Sequence, residues 1–304
     1  MRKIVAATLT ILAFQFCLSQ YESNVEFIKI ADGLNFPEGP AWDGMGNLYV
    51  SSCYGGYIAQ ISADGTKKFI DSISNPNLKQ TNGLVIYKDG NIFACDYGLG
   101  AILKITPEGK SEIFIGGYDG KRFDRPNDLA FDDKGNLYFT DPKSYGKDKL
   151  DGRIFKVVIK SKVVKLLADS LAFPNGIAFS PDGDKIFICE SAQNRILTFN
   201  VDKDGSLSNR NVFAELPGGD PDGLAFDIDG NLYAAHFGEG AIYVLSSDGK
   251  IKEKIIAPGK KPSNVEFGGD DLRTLFITED ETNSVYSAKV KIPGMPLFSS
   301  PVRN

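Results

Sequence analysis

RPNDLAFDDKGNLYFTDP, residues 125–142, places Arg-Pro-Asn-Asp before a short apolar run, then an Asp- and Gly-bearing turn, then a second apolar run. Asp, Gly and Asn between two apolar runs read as a hairpin turn. Asn127 is the odd residue, because a β-branched side chain at a strand mouth would pair better.

The arrangement recurs along the chain. Copies begin at Pro37 (PEGPAWDGMGNLYVSSC), Thr81 (TNGLVIYKDGNIFACDYG), Pro126, Pro174 (PNGIAFSPDGDKIFICES) and Pro221 (PDGLAFDIDGNLYAAHFG), with a weaker sixth at Ser263 (SNVEFGGDDLRTLFITED). The second residue of each copy is Glu38, Asn82, Asn127, Asn175, Asp222 and Asn264, spaced by 44, 45, 48, 47 and 42 residues. A mid-forties period with several strands per unit is the mark of a propeller blade.

Each unit divides into four strands joined by tight turns, and no stretch beyond the N-terminus keeps a helical period. The last unit has only three good strands. NVEFIKIAD, residues 24–32, is expected to supply the fourth and so pair the two ends of the chain in one blade. The expected fold is therefore all-β: one six-bladed β-propeller of four-stranded antiparallel blades over residues 20–304.

In such a ring the first strand of each blade lines the central channel. Six equivalent polar residues then converge at one end, two carboxylates and four amides. A lone Asn or Asp there would be a plain turn former. Six in register form a ring of oxygen donors whose negative charge calls for a cation or a water network. Oxygen donors without thiol or imidazole suit a hard ion such as Ca²⁺, with Zn²⁺, Mg²⁺ or Mn²⁺ as the other divalent candidates. An ion that only locks the channel would satisfy the same pattern. Arg125, beside Asn127, is placed to orient an anionic or hydroxylated substrate. His236 and Asp141 end second strands, where either packing or substrate contact is open to them.

Residues 1–19 read as a signal peptide: Arg2 and Lys3, an apolar run from Ile4 to Phe16, and a small-residue exit near Ser19. The expected location is periplasmic or extracellular, with no membrane attachment after cleavage. Cys53, Cys95 and Cys189 each lie in an apolar strand and read as buried thiols, not as a disulfide framework. A net charge of −5 without long basic runs argues against nucleic acid as a partner. The sequence has no nucleophile elbow, zincin helix or Walker loop.

FPEGPAW (36–42), RPND (125–128), the Thr140–Gly146 segment, FPNGIAF (173–179) and PDGLAF (221–226), in that order and spacing, resemble the SMP-30/gluconolactonase (regucalcin-like) family over essentially the whole mature chain. The resemblance implies hydrolysis of a small-molecule lactone, a sugar lactone such as gluconolactone, at a divalent metal. It implies metal ligands at Glu38, Asn175 and Asp222, with Asn127 beside metal and substrate, Arg125 on the substrate, and Asp222 as general base. Two departures stand out. DPKSYG replaces the DPPYG common in bacterial gluconolactonases, which leaves room for another substrate at that rim. Ala225 stands where related organophosphate hydrolases place an acid of a second calcium site. The rival readings are a phosphotriesterase-type hydrolase on the same ring, a metal-free strictosidine-synthase-like propeller, and a non-catalytic NHL-like binding propeller.

Overall fold

The computed structural model describes residues 22–23, 25–296 and 298, so the expected leader lies outside the described residues. Six antiparallel sheets follow one another along the chain. Blade I comprises Pro37–Trp42, Leu48–Ser52, Tyr57–Ser62 and Gly65–Asp71. Blade II comprises Thr81–Ile86, Ile92–Asp96, Ala101–Ile105 and Ser111–Ile115. Blade III comprises Leu129–Phe131, Leu137–Asp141, Gly152–Val158 and Val163–Leu171. Blade IV comprises Pro174–Phe179, Lys185–Glu190, Arg195–Val201 and Leu207–Glu215. Blade V comprises Asp220–Phe226, Leu232–Phe237, Ala241–Leu245 and Ile251–Ile256. Blade VI comprises Pro262–Gly268, Thr274–Glu279 and Ser284–Lys289, and its fourth strand is Ile28–Ala31 from the start of the chain. The ring is closed as the sequence leads one to expect. Glu22–Ser23 adds a short parallel fifth strand to blade V, which the sequence does not signal.

The core is distributed over the blade interfaces. One apolar cluster fills each gap between neighbouring blades, six in all among the described residues. A blade is covered on both faces, so its middle strands are apolar on both: Ile92 and Ala94 pack toward blade I while Phe93 and Cys95 pack toward blade III. The three predicted thiols, Cys53, Cys95 and Cys189, are free and buried.

The D-x-x-G-N turns have a defined chemistry. Asp43, Asp132 and Asp227 each accept a backbone and a side-chain hydrogen bond from the Asn four residues on, at 2.6–2.9 Å. These aspartates are buried turn formers.

Candidate functional site

The first strands of the blades pack around the common axis, and most are irregular where the ring residues stand. Pairing slips between Glu38 and Ala41, Thr81 and Leu84, Pro174 and Ile177, Pro221 and Leu224, and Pro262 and Asn264. Such bulges re-aim a side chain that regular pairing would hold in the sheet. The residue after the ring position explains the recurring E-G, N-G and D-G pairs. A Cβ on Gly39 would overlap the Asn82 carbonyl oxygen, one on Gly176 the Asp222 carbonyl oxygen, and one on Gly223 the Asn264 side chain. Glycine is what lets adjacent blades bring their ring residues this close.

Hydroxyls from the second strands, or from the residue just after one, hold the ring across the blade boundaries. Ser51 Oγ donates to the Asn82 carbonyl at 2.7 Å, Thr140 Oγ1 to that of Asn175 at 2.7 Å, and Ser191 Oγ to that of Pro221 at 2.6 Å. Blade III carries Asp128 in the glycine slot. Its carboxylate accepts from the amides of Leu129 and Ile177, tying blade III to blade IV inside the channel.

Glu38, Asn127, Asn175 and Asp222, with Asn82, form the polar floor of a cavity of about 340 Å³, and Arg125 stands on its wall. Glu38, Asn127, Asn175, Asp222 and Arg125, which the resemblance assigns to metal and substrate, therefore line one space, whereas Asn264, Asp141 and His236 do not. Asn82 and Asn264 take a different part: both amides donate to Glu38, Asn82 Nδ2 at 3.4 Å to Oε1 and Asn264 Nδ2 to Oε2. They hold the Glu38 carboxylate in place from either side.

The ring's electrostatics are those of crowded buried acids. Burial, then the charge of Asp128, raises Glu38 to about 8. Burial, then Glu38 and Asp280, pushes Asp222 well above the ordinary carboxylate range. Among the described residues no cationic side chain pairs with either. A further acid missed in the sequence lies beside them. Asp280 is buried with both carboxylate oxygens unpartnered, and burial and the Glu38 charge raise it to about 10. Two ring carboxylates without a countercharge, two amide oxygens and an orphaned acid nearby fit a hard divalent cation. No group of three or more His, Cys, Asp or Glu that could hold a metal occurs among the described residues, so the fit rests on carboxylate and amide together.

Asp141 and His236 belong to the support. Asp141 is fully buried, accepts from the Arg125 amide at 2.7 Å, and pairs with Arg153 at 2.6 Å. Asp96, Glu190 and Glu279 do the same work in blades II, IV and VI, accepting backbone amides of the segments that lead to the ring. His236 fills that position in blade V, opposite Pro221 as Glu190 stands opposite Pro174. Its Nε2 donates to Asn194 Oδ1 at 3.0 Å, which must accept because the Asn194 amide nitrogen donates to Leu216. Burial, then Lys254, lowers His236 to about 3, so it stays a neutral packed residue.

The sequence profile of the SMP-30/Gluconolactonase/LRE-like region matches residues 36–280. The chain belongs to that family. A member named gluconolactonase from Zymomonas mobilis is 32% identical over 82% of this chain and 77% of its own length. Diisopropyl-fluorophosphatase of Loligo vulgaris is 28% identical over 86% of this chain and 90% of its own. The solved gluconolactonase of Xanthomonas campestris superposes with a TM-score of 0.77 at 28% identity, over 88% of this chain and 90% of that one. The matched span of the family profile contains all six ring residues and ends on Asp280, short of the Ser284–Lys289 and Ile28–Ala31 strands that close blade VI.

Proposed function

We propose that this SMP-30/gluconolactonase family member hydrolyses a lactone to its hydroxy acid at a metal-bearing propeller channel. The observation that carries the reading is the convergence of Glu38, Asn127, Asn175 and Asp222, from four blades, on the floor of one cavity with Arg125 on its wall. Their oxygens would hold the cation, Ca²⁺ by the chemistry of the set. A bound cation supplies positive charge that polarises the lactone carbonyl and offsets the two carboxylates.

The chain's own residues do the rest. Burial, then the neighbouring Glu38 charge, holds Asp222 toward its protonated form, and a countercharge would return it to the carboxylate that accepts a proton. A water oxygen attacks the carbonyl carbon, and its proton passes to an Asp222 carboxylate oxygen. The ring C–O bond then breaks, and its oxygen is reprotonated as the hydroxyl of the product. Arg125 and Asn127 orient the ring substituents.

Acid release from a panel of lactones by the mature protein, with Ca²⁺ and then with EDTA, tests this. Metal-dependent turnover is expected, with a loss of roughly 100-fold or more in Asp222→Asn. Turnover insensitive to EDTA, or an unimpaired Asp222→Asn, overturns it. Hydrolysis of diisopropyl fluorophosphate without any lactone would move the same site to phosphorus chemistry. Export through the 1–19 leader is part of the proposal and is read by N-terminal sequencing of the protein recovered outside the cytoplasm.

A further inference from the structure

Above the ring, the cavity walls are aromatic: Phe36, Tyr54, Tyr97, Tyr145, Phe173 and Phe237. Two of these have an unusual backbone. Phe36 has φ 60° and Phe173 φ 58°, a left-handed conformation that bulky side chains avoid. Each stands two residues before a ring residue, Glu38 in blade I and Asn175 in blade IV, and these blades lie opposite one another in a ring of six. Both rings are buttressed. Phe36 leans on Tyr54 at 4.6 Å between centroids and on Phe237 at 6.4 Å. Phe173 meets Tyr145 edge-on at 5.2 Å, and Tyr145 is itself pinned to Asp220 by a 2.6 Å hydrogen bond. The segment carrying Tyr145 is tied down again where Gln193 Nε2 donates to the Lys147 carbonyl at 2.7 Å.

The polar groups at this level are largely engaged. Ser191 Oγ is spent on the Pro221 carbonyl, and Asp220 accepts from Tyr145. Arg125 is left, with its guanidinium in no ion pair or hydrogen bond among the described residues. A sugar lactone carries several hydroxyls, and those set against the aromatic walls would lose water without replacement partners. A flat apolar ring loses no hydrogen bonds and gains contact with phenylalanines from two opposite blades.

We propose that the mouth is a slot for a flat apolar ring, so that the lactone taken by this site carries an aryl or fused aromatic group, with at most one polar substituent directed to Arg125. This rests on the lactone reading above and narrows it.

The test compares kcat/KM for dihydrocoumarin, δ-valerolactone and glucono-δ-lactone at saturating Ca²⁺, in the wild type and in Phe36→Ala, Phe173→Ala and Phe173→Leu. The wild type is expected to favour dihydrocoumarin over each of the other two by roughly tenfold or more. The Ala variants are expected to reduce that preference by about tenfold, chiefly through KM, with Phe173→Leu between. Thermal melts report which variants fold, and Phe173→Leu keeps enough bulk to preserve the wall. A second arm measures binding of dihydroquinolinone, the lactam analogue of dihydrocoumarin, by calorimetry. Preference for glucono-δ-lactone, or losses equal across all lactones, overturns the slot while leaving lactone hydrolysis intact. Lactam binding weakened in the Phe173 variants, without hydrolysis of any lactone, upholds the slot and overturns the reaction. Neither lactam binding nor aryl preference overturns the slot outright.

Discussion

Gly176 has no space for a methyl group, because a Cβ there would run into the backbone of Asp222 in the next blade. Gly176→Ala must therefore push blades IV and V apart at the ring, at a cost of about 1–3 kcal/mol. Urea unfolding should show that loss, and calorimetry should show weaker Ca²⁺ binding. Unchanged affinity would mean that the spacing of these two strands does not set the site. Asp141 carries a different load, since Arg153 and two backbone amides converge on it. Asp141→Ala orphans those two amides while Arg153 keeps Asp124 at 2.8 Å, and is expected to cost about 1–3 kcal/mol. The six ring residues were legible because a period exposes position as well as type. Asp141 and His236 were not, because an acid or imidazole closing a strand looks the same in sequence whether it meets substrate or a backbone amide. Asp280 was invisible for another reason: it ends the most degenerate copy, and no other copy has an orphaned acid with which to compare it.

Ile28–Ala31 is an isolated strand in sequence and a structural outer edge in space, pairing with Ser284–Lys289. Removing residues 20–31 uncovers that edge and strips Ala31 from the apolar layer between blades I and VI. Such a truncation is expected to melt earlier and to self-associate through the open strand, which size-exclusion chromatography and thermal scans would read. A truncation that stays monomeric with an unchanged melting temperature would show that the ring needs no closing strand. This element was legible because the sixth unit was one strand short. The C-terminal segment was not, since KIPGMPLF has neither strand nor helix period. Its described residues lie at the ends of first strands away from the ring. Gly294 bridges Asp227, Met295 donates to the Phe226 carbonyl at 2.9 Å, and Phe298 stacks on Phe131 at 4.8 Å. It borders a second cavity, of about 210 Å³, which Asp128 and Glu266 also line.

The molecule as a whole buries a column of acids along its axis. Burial is the leading cause that raises Glu38 and Glu266 to about 8, Asp128 to about 6 and Asp280 to about 10. Folding therefore retains protons that the unfolded chain releases above the ordinary carboxylate range. The stability these groups support is complete below about pH 4 and is lost as pH rises through their folded values. In EDTA the melting temperature is expected to fall between about pH 5 and pH 8, and Ca²⁺ should restore it by more at the higher pH. A flat profile in EDTA would place the ionised forms in the folded protein without a cation. The fold class was legible from the repeat alone. The depth of this acidic column was not, because Asp128 and Glu266 read as ordinary residues beside more conspicuous neighbours.

The pairing of Ile28 with Ser287 spans nearly the entire chain. During synthesis the blades can form one after another as each hairpin emerges, but the circle stays a crescent until the ribosome has released the last strands. A chain halted anywhere before residue 284 carries an unmet edge at both ends, so a prematurely terminated product lacks the means to complete itself. Completion of the ring is thus a late event, which waits for the Ser284–Lys289 strand to meet Ile28–Ala31.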